Sequence, residues 1–153
     1  MTKNLLASGL GYSGLIPFLA TGYLLVTGGI LPGWSIDQLF VSYSAVILAF
    51  LGGSLWGRGM AINDSPLACM VLAASNLIAL LVWFNMVLGG FSQKAAILGL
   101  AFGFLLVLIL ELYLSSRLLA EQGVDYKSDY LRLRVNLTFI VILVHTIVFL
   151  FGS

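Results

Sequence analysis

The chain has 153 residues, 61% hydrophobic and 8% charged, with a formal net charge of +1, whereas a soluble domain carries about 25% charged residues. Seven basic and six acidic side chains cannot cover a globule of this size, so lipid is the solvent for most of its surface. The balanced charge leaves no basic footprint for nucleic acid. The single cysteine, Cys69, excludes an intramolecular disulfide, and with one histidine the usual Cys/His zinc site is excluded too.

Runs of about 20 largely apolar residues mark membrane helices. In chain order they fall at Leu10 to Leu31, Leu39 to Gly57, Pro66 to Leu88, Ala95 to Arg117 and Leu131 to Phe151. The connections are short. Pro32-Gly33-Trp34-Ser35-Ile36-Asp37 is the first; Arg58 to Ser65 follows, holding Asn63-Asp64-Ser65 ahead of Pro66, a helix N-cap signal. Gly89 to Lys94 is the third. Leu118 to Tyr130 is the longest, and its Glu121, Asp125, Lys127 and Asp129 mix signs as a solvated turn does.

A β-barrel would show segments of about 10 residues alternating apolar and polar, and these runs are apolar all round. The first run also exceeds the roughly 7 to 15 residues of a signal-peptide core. The sequence therefore predicts an all-α membrane protein, residues 1–153 forming one bundle of five transmembrane helices. Under five crossings Lys3, Arg58, Arg117, Lys127, Arg132 and Arg134 share one side and Lys94 takes the other. The positive-inside rule then puts the N-terminus inside and the C-terminus outside. Trp34 and Trp83 mark the outer interface, and Trp56, Tyr126 and Tyr130 the inner one.

Helices in lipid associate through close packing at small residues. Ala45, Ala49, Gly53 and Gly57 recur every fourth residue on the second span, and Gly99 with Gly103 forms a GxxxG on the fourth. Three uses are open for these strips: packing within the chain, homodimerisation, or docking on a larger membrane protein. In the first span Pro17 removes an amide hydrogen bond to the Ser13 carbonyl and, with Gly11 and Gly14 nearby, should kink or open the helix.

Glu111 is the one acid inside a predicted span, about 9 Å from its Arg117 end at 1.5 Å per residue. Arg58, Arg132 and Arg134 lie near the same face, and Arg58 is the preferred partner for an ion pair. An intramembrane ionisable group is either structurally paired or handles protons or ligands. His145 lies toward the opposite face, roughly 12 Å from Glu111 along the membrane normal. Asn76, Asn85, Asn136, Ser42, Ser44, Ser54 and Ser75 are read as interhelical polar glue. Walker A, GxGxxG, GxSxG, HExxH and CxxC motifs are missing from the sequence, so neither enzyme action, a cofactor nor a metal site is expected.

The segments Leu10-Gly11-Tyr12-Ser13-Gly14-Leu15-Ile16-Pro17-Phe18, Tyr43 to Gly57 with its Phe50-Leu51-Gly52-Gly53-Ser54-Leu55-Trp56-Gly57, and Tyr130-Leu131-Arg132-Leu133-Arg134 resemble, in order and spacing, the DUF3429 family, the transmembrane protein 69-like small five-span membrane proteins. The resemblance covers nearly the whole chain. It implies a bacterial inner membrane or a mitochondrial inner membrane, where respiratory complexes are the most abundant partners. The expected function is thus a non-catalytic accessory or assembly subunit, surrounded by membrane lipids and docking on a larger complex such as a respiratory oxidase through its small-residue faces. The competing expectation is a small transporter or binding protein. In it Pro17, Trp56 and His145, with Glu111, border a pocket for a lipophilic ligand such as quinone, or Glu111 serves a proton route.

Overall fold

The computed structural model describes residues 3–63, 65–122 and 128–152. Asp64 of the N-cap signal and Asp125, Tyr126 and Lys127 of the last connection lie outside the described residues, as do the side chains of Lys3, Glu121 and Asp129. Regular structure among the described residues is helical: α1 Lys3–Ser13, α2 Ile16–Thr27, α3 Ile36–Ala61, α4 Pro66–Gly89, α5 Gln93–Gln122 and α6 Ser128–Phe151. Among the described residues five spans are long and apolar enough to cross a membrane, the first composed of the end of α1 and all of α2.

The break between α1 and α2 is the one Pro17 demands. A proline lacks an amide hydrogen and its ring crowds the carbonyl four residues back; α1 accordingly ends at Ser13, and Pro17 sits in the first turn of α2. The loosened backbone is closed by the Gly14 amide on the Leu10 carbonyl and the Leu15 amide on that of Tyr12, both 3.0 Å. A side chain from another helix completes the repair: Tyr43 of α3 donates its hydroxyl to the Gly14 carbonyl at 2.8 Å.

Span ends differ from the predicted ones where a local stop or a long-range charge partner outweighs hydropathy. The first span ends at Thr27 rather than Leu31, because Gly28 turns left-handed at φ 66° and caps the helix. A Pro32-Gly33 turn follows, with Gly33 at φ 80° and the Trp34 amide on the Leu31 carbonyl at 3.0 Å, as a type II turn requires. Conversely, α3 continues past Gly57 through Arg58 to Ala61, since that arginine finds an acidic partner inside the bundle. The cap ahead of α4 is Ser65, whose hydroxyl accepts from the Ala68 amide at 3.2 Å, with Pro66 in the first turn.

Packing follows stripes of alternating three- and four-residue spacing. On α3 one buried stripe runs through Val41, Ala45, Leu48, Gly52, Leu55 and Gly59; on α5 one runs through Leu100, Phe104, Val107, Glu111, Leu114 and Leu118. The glycines that α3 spends on α4 are therefore Gly52 and Gly59 rather than the predicted Gly53 and Gly57. A Cβ on Gly52 would meet Ile78 at 3.0 Å and one on Gly59 would meet Leu72 at 2.9 Å. Serine supports the same seam: Ser75 of α4 donates to the Gly52 carbonyl at 2.8 Å.

The other predicted polar glue is mostly local. Ser42, Ser44, Ser54, Asn76 and Asn85 each bond a carbonyl three or four residues back on their own helix, and Asn136 faces outward. A serine or amide at mid-helix can satisfy itself this way without a neighbour, which is why residue type alone overstated their role between helices.

Placing leucine at Gly52 should therefore overpack the α3–α4 seam and cost about 1–3 kcal/mol, read as a lowered thermal midpoint in detergent. Tyr43→Phe, which orphans the Gly14 carbonyl, should cost about 1 kcal/mol in the same assay.

Candidate functional site

Glu111 occupies the middle of the buried stripe of α5, so its carboxylate points between helices, and it is fully buried. By helix rise it lies about 10 Å inside the Leu118 end of its span. An unpaired charge at that depth is costly, and the fold brings three donors to it. Arg58 of α3 donates through Nη2 to Oε1. Arg134 of α6 donates through Nε to Oε2 at 2.6 Å. Tyr130, one turn before Arg134 on α6, donates its hydroxyl to Oε1 at 3.3 Å, and the Arg58 guanidinium stands over the Tyr130 ring at 5.8 Å.

One carboxylate thus ties α3, α5 and α6 together at the arginine-rich end of the bundle. Arg58 is where the sequence argument placed it. Arg134 is a full second partner, which position near the face alone does not distinguish from Arg132, and the signal that separates the two is periodicity: Arg134, Thr138, Val141, His145 and Val148 lie on the buried stripe of α6, whereas Arg132 is exposed.

His145 belongs to that stripe and is packed among aromatic rings. Its ring is 4.8 Å from Phe40, 5.6 Å from Phe104 and 5.8 Å from Phe18 between centroids, and Nδ1 lies 2.8 Å from the Val141 carbonyl. That carbonyl can only accept, so Nδ1 carries the hydrogen.

The predicted grouping of Pro17, Trp56 and His145 around one pocket is corrected by these positions. Trp56 is one residue off the buried stripe of α3 and is 43% exposed on the surface of the bundle. Pro17 breaks the helix without lining the cavity that the break creates; Gly14, Leu15 and Phe18 line it instead. Three or more His, Cys, Asp or Glu side chains placed to hold a metal do not occur among the described residues.

The two predicted small-residue strips have different fates. Gly99 and Gly103 of α5 are used inside the bundle: Asn85 of α4 lies against the first, and Leu48 of α3 with Leu81 of α4 against the second. On α3, Ala45 is buried, but Ala49, Gly53 and Gly57 face outward, and a Cβ on either glycine would meet nothing within 4 Å.

These features define a multi-pass, all-helical membrane protein whose spans are cross-linked by a buried arginine–glutamate–arginine cluster. The chain belongs to the DUF3429 family, described as a protein of unknown function, which matches residues 4–150. It is similar to Transmembrane protein 69 of Xenopus tropicalis, at 38% identity over 91 residues, which are 58% of this chain and 35% of that protein. The match therefore spans about a third of the relative's length. No solved structure matches.

Glu111→Gln leaves two guanidinium groups facing a neutral amide. It should lower stability by about 3–5 kcal/mol, the usual cost of removing one partner from a buried ion pair. Replacing Arg58, Glu111 and Arg134 together by leucine should recover most of that loss, because no charge is then stranded. Thermal unfolding of both variants in the same detergent measures the difference.

Proposed function

We propose that this protein is a non-catalytic accessory or assembly subunit of a bacterial or mitochondrial inner membrane, docking laterally on a larger complex, with a respiratory oxidase as the partner to test first. The observation that carries the reading is the outward strip Ala49, Gly53 and Gly57 on α3. Glycine in a helix costs about 1 kcal/mol relative to alanine, and against lipid it returns little packing. Against another helix the same flat surface lets two backbones approach closely. Since α3 meets α4 through a different pair of glycines, Gly53 and Gly57 are available to a second molecule.

The setting is argued from family membership and from the gathering of Arg58, Arg117, Arg132 and Arg134 at one end. By the positive-inside rule that end faces the cytoplasm or the matrix.

Tagged protein at native expression, extracted in mild detergent and identified by mass spectrometry with its companions, tests the reading. A larger inner-membrane complex should co-purify; recovery only as a monomer or homodimer overturns the proposal. Gly53→Leu combined with Gly57→Leu should release that complex without lowering thermal stability, since each replacement gains up to about 1 kcal/mol of helix propensity and a Cβ at either position meets nothing within 4 Å.

A further inference from the structure

Below the Pro17 break, α1 follows α6, whereas above it α2 packs on both α3 and α6. The divergence leaves a cavity of about 420 Å³ between α1, α3 and α6, with Phe104 of α5 also in its wall. That volume lies in the ordinary range for ligand sites, about 300–1,000 Å³. Leu10 on α1 and Phe50 on α3 line it while being 64% and 70% exposed, so its mouth opens on the lipid-facing side.

The lining has a polarity gradient along the membrane normal. Tyr130 and Arg134 form the end nearest the arginine-rich face, and Phe18, Phe104 and Val141 line the deeper part. Arg134 lies four residues beyond the start of its span at Tyr130, about 6 Å in at helix rise, close to the boundary between head groups and acyl chains. It is 8% exposed. Its Nε is held by Glu111, yet Nη2 is enclosed with no hydrogen-bond partner among the described residues. A buried donor of a charged group left without an acceptor is costly. The acceptor that best matches a guanidinium fork is an oxyanion, which can take two parallel bonds.

We propose that this cavity binds an acyl-chain amphiphile with an oxyanion head, either the carboxylate of a free fatty acid or the phosphate of a phospholipid. The chain lies against Phe18, Phe104 and Val141, and the head meets Arg134. A small rotation of the guanidinium, with Nε still on Glu111, turns Nη2 toward the head. The gradient of the groove is that of a lipid in its own leaflet, so the ligand enters sideways through the mouth between Leu10 and Phe50 without inverting. The assignment is independent of the docking strip, which lies on an adjacent face of α3.

The test uses the full chain in mild detergent and a diazirine-bearing analogue of palmitate, with crosslinked residues mapped by mass spectrometry. Crosslinks should fall on cavity residues such as Phe50 and Leu137. Competition by palmitate identifies the free carboxylate as ligand, and competition by phosphatidate identifies the phospholipid; either supports the proposal. Hexadecanol, with the same chain and no charge, should compete about tenfold or more weakly, a margin of about 1.4 kcal/mol that a charge-assisted bond supplies. Equal competition by hexadecanol, or failure of both anions to compete, overturns it.

Ser54→Phe fills the cavity without removing a hydrogen bond of the cluster, since the Ser54 hydroxyl bonds only the Leu51 carbonyl of its own helix among the described residues. It should cut labelling about tenfold, in proportion to the lost affinity; labelling at the wild-type level overturns the proposal. Arg134→Gln, which leaves Arg58 paired with Glu111 and puts a neutral amide where the head would meet a cation, should erase the preference for anions over hexadecanol. Retention of that preference also counts against it.

Discussion

A charged carboxylate in the hydrocarbon region has to be met by cations in fixed positions, and Glu111 imposes that requirement on three helices at once. Its place on the buried stripe of α5 aims it at α3 and α6, and each answers with an arginine. The attraction itself adds little beyond what packed leucines would give, because desolvating three charges is expensive. What the cluster contributes is specificity: a slide of α3 or α6 by one turn strands a guanidinium or the carboxylate in an apolar surrounding. In a bundle whose apolar surfaces are nearly interchangeable with lipid, such a penalty fixes register where hydrophobicity does not.

Small residues perform the complementary task along the helix seams. Gly52 and Gly59 let α4 approach α3, and Gly99 and Gly103 admit Asn85 and Leu48 against α5. The aromatic cage of Phe18, Phe40 and Phe104 around His145 fills the space near the opposite end. Close approach at the glycines and charge pairing at one end divide the work, so α3 can present Ala49, Gly53 and Gly57 outward without weakening the interior.

The five spans, their order and the Arg58–Glu111 pair were legible from the sequence because each rests on a strong local rule: length of apolar run, position of Lys and Arg, cost of a lone intramembrane acid. Face assignment was not. Gly52 and Gly53 are adjacent, and which of them meets a neighbour depends on the rotation of α3, set by contacts with α2, α4 and α5 together. Regular four-residue spacing favoured Ala45, Ala49, Gly53 and Gly57, whereas the buried stripe alternates three and four and passes through Gly52 and Gly59. The same distinction selects Arg134 over Arg132, and a periodicity count anchored on His145 and Val141 would have found it. Tyr43 as the acceptor's partner at Gly14 carries no sequence signal, since the two are 29 residues apart and meet only in the folded bundle.

The Pro17 break connects these features. A continuous helix from Lys3 to Thr27 would satisfy its own backbone and have one direction; the break removes that constraint and needs an outside donor, which Tyr43 provides from α3. Phe18, directly after the proline, is then locked 4.9 Å from the Tyr43 ring and becomes a wall of the cavity. The upper half of the first span is thereby pinned to α3, while the lower half is free to follow α6 and leave α3 uncovered. The gap ends at Arg134, the residue that also holds Glu111. One proline therefore opens the membrane-facing cavity, and one buried acid keeps the arginine at its floor in place, so any ligand that occupies the cavity is energetically coupled to the cluster that sets the register of the bundle.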